Sequence, residues 1–299
     1  MSAKKPTLSG ILLLDKPAGL TSTAALSRAK RCVDERKAGH TGALDPMATG
    51  LLPLCFGEAT KISAFLLDAD KTYEAELLLG VCTHSGDADG EVTSTASVPE
   101  VTADELESVL ERFRGPILQV PPMVSALKHQ GKRLHELARA GIEIERPPRP
   151  VRIDRLELLG IELPRIRIRV ECSKGTYIRS LAMDIGDALG CGAHLTALRR
   201  TRSGPFELGD AVSLEELQQM SVEQARERLL APDAALLDWP PVQLDAGQTE
   251  AMSQGRTVGI DHSVCDGVRM YHGSRFVGLG QIDVDGVLKV RRLFHLPGE

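Results

Sequence analysis

The chain has 299 residues, 42% of them apolar, and a net charge of −5. That length supports one sizeable domain plus a small one, and no apolar run is long enough to span a bilayer. Six cysteines lie far apart without a C-x-x-C pair, a pattern that suggests a reducing cytoplasm rather than a disulfide framework or a zinc site.

The N-terminus leads at once into a short apolar run, Ile11 to Leu14, which Asp15 interrupts. It is too short for a signal-peptide core and reads as a buried strand entering a turn, Lys16-Pro17-Ala18-Gly19. Thr21 or Ser22 caps a helix carrying Ala25, Leu26, Ala29 and Val33 on one face. Then comes K-A-G-H-T-G-A-L-D-P-M-A-T-G, Lys37 to Gly50. Gly39, Gly42 and Gly50 permit backbone angles that other residues avoid, so the segment reads as a shaped loop. Pro46 fixes its own φ and pushes Asp45 toward extended angles, presenting the carboxylate on a stiffened backbone. Asp followed by Pro is also a common helix start, with Asp as N-cap. The residues alone leave both readings open.

Leu51 to Phe56 reads as a short buried strand, Glu58 to Leu67 as helical, and Thr72 to Leu79 as a strand. His84 to Glu91, H-S-G-D-A-D-G-E, is turn chemistry that lacks the full ligand pattern of a calcium loop. Cys82 and His84 alone are too few for a metal site. Thr102 and Glu105 form a capping box opening a helix through Phe113. Gly115 to Pro122 breaks regular structure. Gly131 to Ile144 reads as a helix with Lys132, Arg133 and Arg139 toward solvent, ended by Pro147, Pro148 and Pro150. Residues 121–150 thus form a basic excursion able to close over a ligand like a thumb.

Val151 to Leu159 and Arg165 to Cys172 alternate as strands, the second with one basic and one apolar face. Thr176 opens a helix whose stripe is Ile178, Leu181, Ala182, Ile185 and Leu189. Acidic helices follow at 213–219 and 221–230, and Pro232, Pro240 and Pro241 mark a boundary. Short strands at Arg269–His272, Arg275–Ile282 and Val287–Leu293 suggest a small β-barrel beyond it. Charge is segregated along the chain: residues 66–111 and 207–250 are strongly acidic, while residues 1–60 and 125–205 carry a basic excess. Phosphate binding depends on a local basic face rather than on the whole-chain sum.

The Lys37–Gly50 stretch resembles the active-site motif of the TruB family, the synthases that make pseudouridine in the T-loop of tRNA. Further stretches resemble the family in the expected order: Lys71-Thr72-Tyr73-Glu74-Ala75, Pro121 to Lys128, Ser173 to Leu181 with Arg179, and Ala193 to Arg200. Val124 departs from the tyrosine usual there, and His129 and His135 stand where aromatics are common, which bears on the thumb and not on the chemistry. The resemblance implies an α+β fold, a mixed, largely antiparallel sheet flanked by helices, with residues 1–240 catalytic and residues 241–299 a PUA-like barrel. It implies an isomerase acting on uridine 55 in the T-arm stem-loop of tRNA, which also assists tRNA folding. A non-catalytic RNA-binding protein is the competing class, and a guide-RNA-dependent relative ranks below both.

Pseudouridine formation breaks a C–N glycosidic bond, turns the base and joins C5 to the same sugar carbon. It moves no electrons out, so no cofactor or metal is expected. A carboxylate can attack to form a covalent intermediate, and by resemblance Asp45 is that group, kept ionised by Arg179. The base must be flipped from its stack. By resemblance Tyr73 stacks on it and takes or relays the C5 proton, Tyr177 borders the pocket, Leu198 packs against the base and His40 fills nearby space. Lys128, Lys132, Arg133, Arg199, Arg200 and Arg202 are the expected phosphate contacts, positioning RNA without reading sequence. The expected partner is tRNA, with no membrane and no obligate protein partner; the chain is expected to be a cytoplasmic monomer.

Overall fold

The computed structural model describes residues 8–125, 127–129, 132–134, 137, 142 and 144–296. Its centre is a mixed sheet, ten-stranded among the described residues. In spatial order the main path runs Val212–Ser213, Gly10–Lys16, Thr49–Phe56, Ala193–Ser203, Lys71–Leu79, Arg165–Cys172, Arg149–Glu162 and Gly115–Gln119. Two of these pairings are parallel, Gly10–Lys16 with Val212–Ser213 and Ala193–Ser203 with Thr49–Phe56; the rest are antiparallel. The fold is therefore α+β, with the largely antiparallel sheet that the family resemblance implies.

Alternation decides which side chains meet. Leu12, Leu14, Leu52, Leu54, Ala75, Leu77, Ile166, Ile168 and Leu198 point to one face, under helices Ser22–Val33 and Ile178–Ala188. Ile11, Leu13, Leu51 and Cys55 point to the other, where they share a core with Phe276 and Leu279 of the C-terminal sheet and with Phe294 just beyond its strand Val287–Leu293. That second sheet has five strands and is a curled half-barrel in the order Pro241–Gln243, Cys265–His272, Arg275–Ile282, Val287–Leu293 and Val258–Gly259.

The first helix is capped by Thr21, whose side chain accepts from Ala24 N at 3.1 Å. The capping box at Thr102–Glu105 forms, and its helix spans Ala103–Glu111. Two expectations change. Gly115–Gln119 is a strand, paired with Arg149–Ile153 at the sheet edge. An edge strand tolerates Pro116 because proline lacks only a ladder N–H, and the Gly-Pro start hid the strand. In the thumb, Lys132–Arg133 pairs antiparallel with Lys128–His129 instead of opening a helix at Gly131. The remainder of that expected helix, His135 and Arg139 included, lies largely outside the described residues.

Candidate active site

Asp45 sits in the loop between strands Ala38–His40 and Thr49–Phe56, and no helix begins there. The N-cap reading of Asp45-Pro46 thus gives way to the shaped loop. Both flanks of the aspartate are pinned. Ser22 Oγ accepts from Leu44 N at 2.8 Å and donates to Leu44 O at 3.1 Å. Pro46 O accepts from Gly19 N at 2.8 Å and from Lys16 Nζ at 3.4 Å. Gly42 (φ 110°) and Gly50 (φ 101°) take angles that favour glycine, whereas Gly39 lies in a strand without one. Gly50 is needed twice over, since a Cβ there would lie 2.3 Å from Arg200 O.

Arg179 comes from the first turn of helix Ile178–Ala188 and is 3% exposed. Its Nε lies 2.9 Å from Asp45 Oδ2 and its Nη2 donates to Asp45 Oδ1 at 3.2 Å, a two-point grip on the carboxylate. Nη1 donates to Ser85 O at 3.0 Å and Nη2 to Val124 O at 2.8 Å. The Val124 contact uses a backbone oxygen, so the departure from tyrosine leaves it intact. A second carboxylate, Asp87, lies 3.5 Å from Arg179 Nε and is itself held by Ser85 Oγ and Asp89 N. The helix start is fixed by buried Gln119, which accepts from Tyr177 N at 2.7 Å and donates to Tyr177 O at 3.1 Å.

Burial pushes the Asp45 carboxyl above the ordinary aspartate value; Arg179 pulls it back in part, and Asp87 pushes it up again. Burial also raises the Tyr73 and Tyr177 phenols, with Arg200 opposing at Tyr73 and Ser125 at Tyr177. Both phenols feel the Asp45 charge. Burial and then Arg200 hold the His40 imidazole low, so it is neutral near pH 7, and its Nδ1 has no hydrogen-bond partner among the described residues. Leu198 is buried directly opposite Ala75, on the face that carries Tyr73. Around the Asp45 loop the fold thus gathers a gripped carboxylate, two phenols, an imidazole and an apolar side chain.

The expected phosphate contacts fare differently. Arg200 is 1% exposed and faces inward beside Tyr73, donating to Leu51 O at 2.7 Å and Gly42 O at 3.2 Å; it cannot reach a phosphate. Arg199 and Arg202 stand opposite Glu74 and Thr72, so they leave the sheet on the face away from Tyr73. Arg199 pairs there with Asp15 at 2.7 Å and Arg202 with Glu171. On the same outer face Arg165 pairs with Glu76 at 2.8 Å and Arg169 with Glu74 at 2.7 Å. Arg165 and Arg169 are thus answered by Glu76 and Glu74 of strand Lys71–Leu79, Arg199 by Asp15 and Arg202 by Glu171. The side chains of Lys128, Lys132 and Arg133 lie outside the described residues.

Sequence reasoning missed Ser22 and Lys16 as pins, Gln119 as a clamp and Asp87 as the second partner of Arg179. None of these carries a local sequence signal, because each acts through a contact made only once the chain is folded.

Comparison with known proteins agrees along the chain. Residues 30–178 match the family model described as TruB family pseudouridylate synthase (N terminal domain). Residues 179–238 match the tRNA pseudouridylate synthase B C-terminal domain, and 240–294 match Pseudouridine synthase II TruB, C-terminal. The tRNA pseudouridine synthase B of Aromatoleum aromaticum is 55% identical over 95% of this chain and 92% of that protein. That of Pseudomonas putida strain F1 is 52% identical over 96% of each. Among solved structures, a Cbf5-Nop10-Gar1 complex superposes with a TM-score of 0.73 at 28% identity, covering 96% of this chain and 85% of that one. An H/ACA RNP bound to a substrate RNA containing 2′-deoxyuridine gives 0.71 at 27%, covering the same shares.

Proposed function

Since this chain belongs to the TruB family and isomerises uridine to pseudouridine in tRNA, we propose that its target is uridine 55 of the T-loop and that Asp45 is the attacking group. The observation that carries the assignment is the two-point grip of Arg179 on Asp45 within a loop pinned on both flanks. A nucleophile held this way loses little freedom on reaching the transition state. Arg179 orients the carboxylate and favours its ionised form against burial. The uridine is flipped into the cleft, at a cost of a few kcal/mol offset by stacking. Tyr73 stacks on the base and handles the C5 proton, Tyr177 and Leu198 border it, and His40 occupies adjacent space.

Residues 1–240 carry the chemistry and residues 241–299 serve as a PUA-like RNA-binding unit. Lys128, Lys132 and Arg133 of the thumb contact the RNA backbone. The enzyme works as a cytoplasmic monomer with no protein partner, and prying the T-arm open also assists tRNA folding. The test is incubation of the protein and its Asp45→Asn variant with unmodified tRNA, followed by carbodiimide treatment and reverse transcription to map the altered uridine. Asp45→Asn should bind tRNA and form no product. Product from that variant would defeat the nucleophilic role, and a stop at another uridine would defeat the choice of target.

A further inference from the structure

Three cations lie buried beneath the Asp45 loop: Lys16 at 0%, Lys71 at 6% and Arg200 at 1% exposure. Among the described residues none has a carboxylate within 4.0 Å. The lysines are accounted for. Lys16 Nζ donates to Pro17, Leu20 and Pro46 carbonyls, and Lys71 Nζ to those of Leu66, Leu67 and Ala69. Each ammonium thereby uses its full donor capacity. Burial also brings both down to about 8, so either can shed its charge cheaply.

Arg200 has no such outlet, because a guanidinium stays protonated in proteins. Its Nε and Nη2 are taken by Leu51 O and Gly42 O, and among the described residues Nη1 has no backbone acceptor. A buried charge without a counter-charge is costly and persists where a neighbour or a reaction supplies the opposite sign. Directly across the strand pair, on the same face, stands Tyr73. Side chains so placed lie about 5 Å apart at Cβ. The phenol can become negative and return to neutral within a catalytic cycle, and it is hydrogen-bonded to the Arg200 side chain.

We propose that Arg200 is a positioning residue for Tyr73, fixing the phenol and supplying the positive charge against which it becomes a phenolate while a proton moves from C5 to N1 of the base. The inference rests on the reading of the chain as a pseudouridine synthase. The step begins once C5 has bonded to C1′, when C5 still carries its hydrogen and N1 has none. The Tyr73 hydroxyl proton passes to N1, directly or through one water. The phenolate oxygen then takes the C5 proton, the C–H electron pair closes the C5–C6 double bond, and the C6–N1 π pair moves onto N1. The phenol is restored, one proton has changed place, and no oxidant or reductant is consumed. If attack began at the ring instead, the same C5–H electron pair would expel the Asp45 carboxylate from C6 as the double bond closes, and Tyr73 would still take the C5 proton.

The test uses tRNA transcribed with 5-deuterouridine alongside ordinary tRNA, in single-turnover reactions of the wild type, Arg200→Met and Arg200→Lys. Failure of the wild type to make pseudouridine would overturn the functional reading and is recognised separately from the result for Arg200. Arg200→Met should slow product formation by about 100-fold, as for loss of proton-transfer assistance, and should raise the C5 deuterium isotope effect to a primary value. tRNA affinity should stay unchanged. Arg200→Lys, which keeps the charge, should recover part of the rate and show a smaller isotope effect. A slowed Arg200→Met enzyme whose isotope effect equals that of the wild type would reduce Arg200 to packing and overturn the proposal. If Arg200→Met does not fold by its melting curve, Arg200→Lys decides the matter, and an isotope effect unchanged from wild type overturns it.

Discussion

Replacing Arg179 by lysine keeps a positive charge and removes the planar fork, so it separates charge from geometry. The guanidinium reaches both oxygens of Asp45, Ser85 O and Val124 O from three nitrogens spread over a plane. A single ammonium nitrogen reaches at most about half of these acceptors at once. Two charge-assisted hydrogen bonds are then lost at about 1.5–3 kcal/mol each, or about 3–6 kcal/mol in all. If that loss falls on the transition state, the rate drops by about 10²–10⁴. Arg179→Met also leaves Asp45 and buried Asp87 without their cation and should cost as much or more. The assay is single-turnover release of the C5 hydrogen as tritium from labelled tRNA, with affinity measured by filter binding. The single-turnover rate constant should fall and affinity should hold, because Arg179 is buried. A lysine variant within threefold of wild type would show that the grip on Asp45 is not part of the chemistry.

The remaining predictions are independent of that variant. Attack requires the carboxylate, and burial raises the Asp45 carboxyl, so activity should fall with decreasing pH through a value above that of an ordinary aspartate. Asp87→Asn removes a negative charge that raises Asp45 further, so the acid limb should move to lower pH while the plateau rate drops from loss of a partner of Arg179; a pH–rate profile with an unmoved limb would contradict this. Gly50→Ala places a methyl against Arg200 O at a positive φ and should cost about 2–4 kcal/mol, read as a lowered Tm. Glu58 is driven up by burial but brought down to about 2 by Lys37, Lys61 and His295 N. Its folded pKa is depressed, so its stabilisation is present above about 4.5 and is lost as pH falls toward about 2; urea denaturation of Glu58→Gln across that window should show a flatter pH dependence.

What the sequence made legible follows from how each feature is encoded. Asp45 and Arg179 lie within runs whose resemblance to a family is specific, and the outer strands declare themselves through alternation, as in Arg165 to Val170. The meeting of Asp87 with Arg179 is encoded nowhere locally, because a turn and a helix start come together only through the packing of helix Ile178–Ala188 on the sheet. Arg200 shows the same limit more sharply. Neighbouring arginines 199 and 200 have the same composition signal, and only the parity of one strand sends the first to solvent and the second beneath the loop. The acidic and basic segments were visible as sums, yet the packing of the sheet sets Arg199 and Arg202, two of the expected phosphate contacts, against Asp15 and Glu171.

The prolines at 240 and 241 look like a natural place to cut the chain, but the shared cluster of Ile11, Leu13, Leu51, Phe206, Phe276, Leu279 and Phe294 makes them a poor one. Shortening the protein there would uncover a greasy patch on the first strand, whose opposite side lies close beneath the catalytic loop. Any attempt to shrink this enzyme to a minimal catalyst would therefore have to redesign the back of the sheet in order to keep the front.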